Sequence, residues 1–182
     1  MLIIVIIIVL LAAWAVFIYN RFISQRNIVD EAWSGIDVQL KRRYDLIPNL
    51  VNTVKGYSQY ERELMQDITA LRAKSMNLNS PGEKAKPESA LSGRLKNLLA
   101  VVENYPDLKA SQSFLNLQQK LTEVEDQIQY ARRYYNGAVR DYNTRVESFP
   151  SNIVASIFGF KKEEFFEITF ATERQTPEVD LS

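Results

Sequence analysis

The sequence predicts an all-α protein, a long antiparallel bundle of three to four helices that continues from an N-terminal transmembrane helix. Two observations carry this prediction. The first nineteen residues contain no charge, proline or glycine, and further on apolar residues recur at helical spacing over two long stretches. Residues 21–167 suffice for one bundle domain with a single core. We expect the polar tail, residues 168–182, to be disordered.

Residues 1–20 are predicted to be a membrane anchor. As a helix, the uncharged run spans ~28 Å, close to the ~30 Å hydrocarbon core of a bilayer. A cleaved signal peptide is the alternative, but no basic residue precedes the run, and the small pair Ala13 and Ala15 is followed by further apolar residues. Because Arg21 and Arg26 follow the run, the positive-inside rule predicts a short N-terminus outside and a cytoplasmic domain.

A first long helix is predicted from about Asn27 to Lys74, continuous with the anchor. Two sets of positions seven residues apart form its apolar stripes: Val29, Ile36, Arg43, Leu50, Tyr57, Leu64, Leu71 and Trp33, Leu40, Ile47, Val54, Glu61, Ile68. Only Arg43 and Glu61 interrupt the stripes. Pro48 lies inside this helix and predicts a kink near residues 43–47, since proline removes one backbone donor.

The middle of the chain is predicted to be less regular. Residues 77–89 contain two prolines and a glycine and are predicted to form a loop. Residues 90–103 have the pattern of a short amphipathic helix. Pro106 then suits the first turn of a following helix.

The last long helix has the most regular pattern. Six aromatic or aliphatic residues recur every seven positions: Phe114, Leu121, Ile128, Tyr135, Tyr142 and Phe149. The pattern predicts about forty helical residues that end at Phe149-Pro150 and pack antiparallel to the first helix. Ser151 then caps a short helix.

Several sequence motifs occur in order along the chain. They are residues 32–51 (AWSGIDVQLKRRYDLIPNLV), 103–110 (ENYPDLKA), 131–136 (ARRYYN), Tyr142-Asn143, Phe149-Pro150, Gly159-Phe160 and 165–167 (FFE). Together they resemble the LemA family of bacterial membrane proteins over nearly the whole chain. The resemblance implies a single-pass protein with a long-helix bundle in the bacterial inner membrane. It implies no enzyme, because the family has no established catalytic activity.

The composition excludes several classes of function. The chain has no cysteine and no histidine, which removes thiol catalysis, Cys/His zinc sites and histidine general bases. Lys and Arg equal Asp and Glu at 22 each, so no net charge attracts nucleic acid. Asp37, Asp45 and Asn49 share a helix face, but two carboxylates bind hard cations weakly. We therefore predict no metal, no cofactor and no enzymatic activity.

Two charged residues at stripe positions set a register hypothesis. Antiparallel matching of the two long helices places Arg43 near Asp141 and Glu61 near Lys120, where each charge would find a partner. Two alternatives remain open. Both side chains could reach solvent along the bundle surface, or they could form a ligand site.

The segment from Ile153 to Phe160 is a candidate membrane-surface element. Four apolar side chains of its helix share one face, and Phe160 follows them: Ile153, Val154, Ile157 and Phe158. If the preceding helix returns toward the bilayer, this segment lies at the lipid surface. Packing on the base of the bundle is the alternative.

The predicted function is structural: a membrane-anchored scaffold that self-associates and organises the membrane or envelope assemblies. Its expected partners are membrane lipid and further copies of the chain. The alternative is a signalling or recruitment adaptor for an envelope protease or sensor, with a partner surface made of Trp33, Asp37, Asp45 and Asn136. A binding surface is also an alternative to core packing for Tyr130 and Tyr134.

Overall fold

The computed structural model describes residues 1–56 and 61–167. Six helices make up this part of the chain, and the described ranges contain no strand. They are α1 (Leu2–Lys55), α2 (Arg62–Met76), α3 (Pro81–Val102), α4 (Pro106–Lys109), α5 (Gln112–Glu147) and α6 (Ser151–Phe158). The all-α prediction is therefore confirmed.

The chain divides into two compact units. The first comprises Met1–Val38 and Gln129–Phe165. The second comprises Gln39–Ile128 and Phe166–Ser182, of which residues 57–60 and 168–182 lie outside the described ranges. Because the long helices α1 and α5 each cross a unit boundary, both units contain one segment of each.

The apolar stripes form the cores of these units, because positions seven apart return to one side of a helix. In the first unit the buried stripe residues include Val29, Ile36, Tyr135 and Tyr142. In the second they include Leu40, Ile47, Leu50, Phe114 and Leu121. Phe149 leaves the pattern: it follows the end of α5 and is 81% exposed.

The apolar span is the N-terminal part of α1. It is the one helix of the described chain long and apolar enough to cross a membrane, and none of the residues in its most apolar part is buried. The helix continues past the span to Lys55. The N-terminal helix thus fits a membrane anchor that is continuous with the bundle.

The predicted helix from Asn27 to Lys74 is wrong in one respect, because α1 ends at Lys55 and α2 begins at Arg62. The turn at Gly56 marks the break, and glycine costs about 1 kcal/mol relative to alanine inside a helix. Pro48 lies within α1, which is helical on both sides of it, and the kink stays a prediction. Tyr57, a predicted stripe residue, lies outside the described residues.

The predicted loop at residues 77–89 is too long: residues 77–80 are not helical, but α3 begins at Pro81. The hydroxyl oxygen of Ser80 accepts a hydrogen bond from the Glu83 backbone N–H at 3.3 Å. Ser80 is therefore the N-cap, and Pro81 occupies the first turn, where its missing N–H costs nothing. Pro106 begins α4 in the same way, as predicted.

The end of the bundle differs from prediction at one cap. Pro150 is the N-cap of α6, and Ser151 lies inside the helix. The Ser151 hydroxyl donates to the backbone carbonyls of Arg145 at 2.7 Å and Ser148 at 2.9 Å. Ser151 thus ties α6 back to the end of α5. Gly159 ends α6 with a φ of 74°, in the left-handed region that glycine adopts without strain.

Candidate functional site

The second unit contains a fully buried ion pair between α1 and α3. The Arg43 and Glu88 side chains are both 0% exposed, and Arg43 Nη2 donates to Glu88 Oε2. Arg43 Nη1 donates to Glu125 Oε2 of α5 at 2.8 Å and to Ser92 Oγ of α3 at 2.7 Å. Arg43 therefore joins three helices through charge-assisted hydrogen bonds.

Neighbouring groups complete this buried cluster. The Tyr44 hydroxyl donates to Glu88 Oε1, so both carboxylate oxygens of Glu88 are bonded. Ser92 Oγ donates to Glu125 Oε1 at 3.1 Å. Arg72 Nε of α2 donates to the Tyr44 carbonyl at 2.7 Å. Such pairing offsets the large cost of removing charges from water.

The register hypothesis for Arg43 is wrong. Arg43 pairs with Glu88 and Glu125, the latter 16 residues before the predicted Asp141. Asp141 instead accepts from Arg140, and both side chains are largely exposed. The hypothesis failed because Glu88 fell in the predicted loop, which left α5 as the apparent source of a partner. The alternative of a solvent-exposed Arg43 is equally wrong.

The pairing predicted for Glu61 was derived from the same register, which the contacts of Arg43 contradict. Glu61 is partly exposed and lines a surface groove with Asp67, Arg94 and Asn97. Lys120 is exposed. The pairing of Glu61 with Lys120 stays a prediction.

The first unit carries an aromatic cluster at the end of the apolar span. The Phe158 ring of α6 lies 4.9 Å from the Tyr19 ring, between centroids. Phe160 stacks on Phe22 at 4.7 Å, and Phe22 in turn meets the edge of Tyr142. Tyr19 directly precedes the first charged residues of the chain, so the cluster lies where the apolar run stops.

Side chains of α5 hold the segment after α6 in place by hydrogen bonds to the backbone of that segment. The Asn143 side-chain amide donates to the Glu163 carbonyl at 2.9 Å and accepts from the Glu163 N–H at 2.8 Å. The Tyr135 hydroxyl donates to the Glu164 carbonyl at 2.7 Å. Burial, with the nearby carboxylates of Glu163 and Glu164, raises the pKa of Tyr135 to about 12. The phenol is therefore a neutral donor at physiological pH.

Two arginines lie close together at the same end of the first unit. Arg145 Nε donates to the Gln25 side-chain oxygen. Burial lowers the pKa of the Arg145 guanidinium, and the positive charge of Arg21 lowers it further. Arg21 is itself exposed.

The face of α6 that points away from the bundle is apolar. Val154 and Ala155 are buried, whereas Ile153 is 49% exposed, Ile157 71% and Phe158 55%. The four residues predicted to share one face are therefore divided, because Val154 turns inward. Phe160 is half-buried against Phe22.

The remaining predicted surface residues differ in exposure. In the first unit Asp37 is exposed, while Trp33 and Asn136 are half-buried, and the Trp33 ring lies 5.5 Å from that of Tyr135. In the second unit Asp45, Pro48 and Asn49 are exposed on α1. Residues 1–56 and 61–167 contain no group of three Asp, Glu, His or Cys side chains that could hold a metal ion.

The chain is similar in sequence to a known family and to several known proteins. The sequence model of the LemA family matches residues 32–181. "Protein LemA" of Metamycoplasma hominis is 29% identical over 167 residues, which cover 90% of this chain and 74% of that protein. "Magnetosome protein MamQ 2" of Paramagnetospirillum magneticum is 24% identical and covers 82% of this chain. "Magnetosome protein MamQ" of Magnetospirillum gryphiswaldense is 22% identical over 81% of this chain.

The matched regions do not cover the relatives fully. The chain spans 64% of the length of either magnetosome protein. It spans 74% of the Metamycoplasma protein. The match to the LemA family model, by contrast, covers most of this chain.

Proposed function

The chain belongs to the LemA family, and we propose that it is a membrane-anchored helical scaffold that self-associates and organises the membrane or envelope assemblies. One observation carries the proposal: the apolar span and the first helix of the bundle are a single continuous helix, α1, with no linker between them. Phe22, Val29 and Ile36 begin the buried core soon after the span ends. A bundle coupled so directly to the bilayer suits a structural role.

An exposed aromatic pair on α5 supports self-association. Tyr130 is 60% exposed and Tyr134 59%, and their spacing of four residues puts them on one helix face. The Arg133 guanidinium lies 4.6 Å from the centre of the Tyr130 ring. Tyrosine and arginine are enriched in the residues that dominate protein interfaces. A second copy of the chain, held in the same membrane plane by its own anchor, is the proposed occupant, because confinement raises the effective concentration.

The names of the relatives are compatible with this role. Two of them are called magnetosome proteins, a name that gives a location and no reaction. The proposed partners are therefore membrane lipid, further copies of the chain and envelope proteins. Nucleic acid is not among them, since the charges of the chain balance.

The test is the mass of the full-length protein in mild detergent, measured by light scattering. We expect a uniform assembly well above the 21.0 kDa of one chain. Replacing both Tyr130 and Tyr134 by alanine should reduce this mass. The matched control replaces Gln119 and Glu123, an exposed polar pair with the same spacing on the same helix, and should leave it unchanged. A monomeric wild-type protein would refute self-association.

A recruitment adaptor is the second candidate function. It is favoured by the position of Trp33 and Asp37 one turn apart on α1, with Asn136 in the same unit. Aromatic and carboxylate side chains at one turn's spacing can anchor a protein partner. Cross-linking of the full chain in its membrane, followed by recovery of one defined protein that is lost with D37A, would support the adaptor over the scaffold.

A further inference from the structure

We propose that α6 is a second membrane contact, in which Ile153, Ile157 and Phe158 insert into the headgroup boundary of the bilayer that α1 spans. The proposal depends on the membrane anchor. It does not depend on self-association, so it stands or falls separately from the scaffold role.

The position of α6 along the membrane normal favours a contact with lipid. In a spanning helix, the residues between Leu2 and Tyr19 cover ~26 Å, about the thickness of the hydrocarbon core. Tyr19 therefore lies at the boundary, where tyrosine is enriched because its ring is apolar and its hydroxyl polar. The Phe158 ring contacts Tyr19, which places α6 at the same level.

One side of α6 packs on the bundle, and the other side is apolar and exposed. Val154 and Ala155 attach it to the bundle, and the Ser151 hydroxyl shares its proton between two backbone carbonyls at the end of α5. The opposite face exposes Ile153 and Ile157. Large aliphatic side chains on a fastened helix next to a membrane span gain free energy by leaving water for lipid, at about 25 cal/mol per Å² of buried apolar surface.

Continuity with the span favours lipid as the occupant of this face. Through the contact of Phe158 with Tyr19, the exposed side of α6 adjoins the end of the apolar run, where a bilayer surface would lie. Arg21 and Lys161 are exposed beside the aromatic cluster in sequence, and positive groups next to an apolar face attract anionic lipid headgroups.

The experiment uses the absence of cysteine from the chain. Full-length I157C is labelled with the environment-sensitive dye NBD and reconstituted in vesicles of neutral and anionic phospholipid. The matched control is labelled V38C, in the same unit and 52% exposed in wild type. Its site on α1 lies 19 residues beyond Tyr19, or ~28 Å of helix.

We expect the emission of the label at position 157 to shift to the blue and to be quenched at least threefold more by shallow nitroxide lipids than the label at position 38. Equal quenching at both positions would overturn the proposal. A blue shift at 157 without lipid quenching would also overturn it, because the site would then be covered by protein. Circular dichroism of each labelled variant confirms that the helices remain folded.

Discussion

At the scale of single residues, the fold is defined by a few buried polar groups. Arg43 occupies a stripe position where leucine would be expected, and it bonds to carboxylates of two other helices. The sequence alone shows that Arg43 interrupts the apolar pattern. It does not show which residues Arg43 contacts, because Glu88 lies in a stretch whose prolines are typical of a loop.

Breaking the buried pair should strongly destabilise the bundle. Glu88→Gln leaves the Arg43 charge without its innermost carboxylate, so we expect the free energy of unfolding to fall by about 3–5 kcal/mol. Asp141→Asn, in the exposed pair with Arg140, is the control and should cost less than about 1 kcal/mol. Denaturant titration of both variants in detergent measures the difference. Similar costs would contradict a structural role for the cluster.

Tyr135 should make the stability of the protein depend on alkaline pH. Its pKa rises from 10.0 to about 12, chiefly by burial. The unfolded chain therefore ionises first: the contribution is complete below pH 10 and is lost as the pH rises through 12. Tyr135→Phe should be less stable than wild type at pH 8, through loss of the bond to Glu164, and should lose less stability between pH 9 and 11.5. Parallel pH profiles of unfolding would contradict this assignment.

At the scale of helices, periodicity predicted the long elements and failed at their ends. The stripe from Phe114 to Tyr142 corresponds to α5, because a heptad repeat reports directly which side is buried. The start of α3 differs from the prediction because its two prolines are typical of a loop, whereas Ser80, Pro81 and Glu83 form a helix start. The outward face of α6 could be anticipated only in part, since hydrophobicity does not say which apolar residue packs inward.

Two glycines should respond oppositely to alanine. Gly159→Ala places a Cβ on a residue with a φ of 74°, so we expect a loss of about 1–2 kcal/mol. Gly137→Ala adds a methyl group in open space within α5 and should stabilise by up to about 1 kcal/mol. Thermal unfolding followed by circular dichroism tests both. A stabilising Gly159→Ala would contradict the left-handed cap of α6.

At the scale of the whole molecule, anchor and bundle share one polypeptide helix. The family and the helical class could be predicted because they rest on motifs and periodicity that extend along the chain, and the apolar run fits the predicted anchor. The proposed contact between copies through Tyr130 and Tyr134 stays a prediction, since exposure alone does not identify what covers a surface.

The orientation predicted from the sequence, with the helical domain in the cytoplasm because Arg21 and Arg26 follow the span, can be tested by labelling. Lys120→Cys, exposed on α5, should therefore resist a membrane-impermeant maleimide in intact bacterial cells and react after the membrane is permeabilised. Leu2→Cys, at the other end of the span, should react in intact cells. The reverse labelling pattern would place the domain outside.

The uninterrupted passage of α1 out of the bilayer has a mechanical consequence. Between Tyr19 and Val38 the helix extends ~28 Å beyond the span. A span that tilts by about 10° to match a thinner membrane would swing that point sideways by ~5 Å, since no flexible joint absorbs the rotation. Bilayer thickness would thus be converted into lateral displacement of the attached helices, and the anchor would act as a lever as well as a tether.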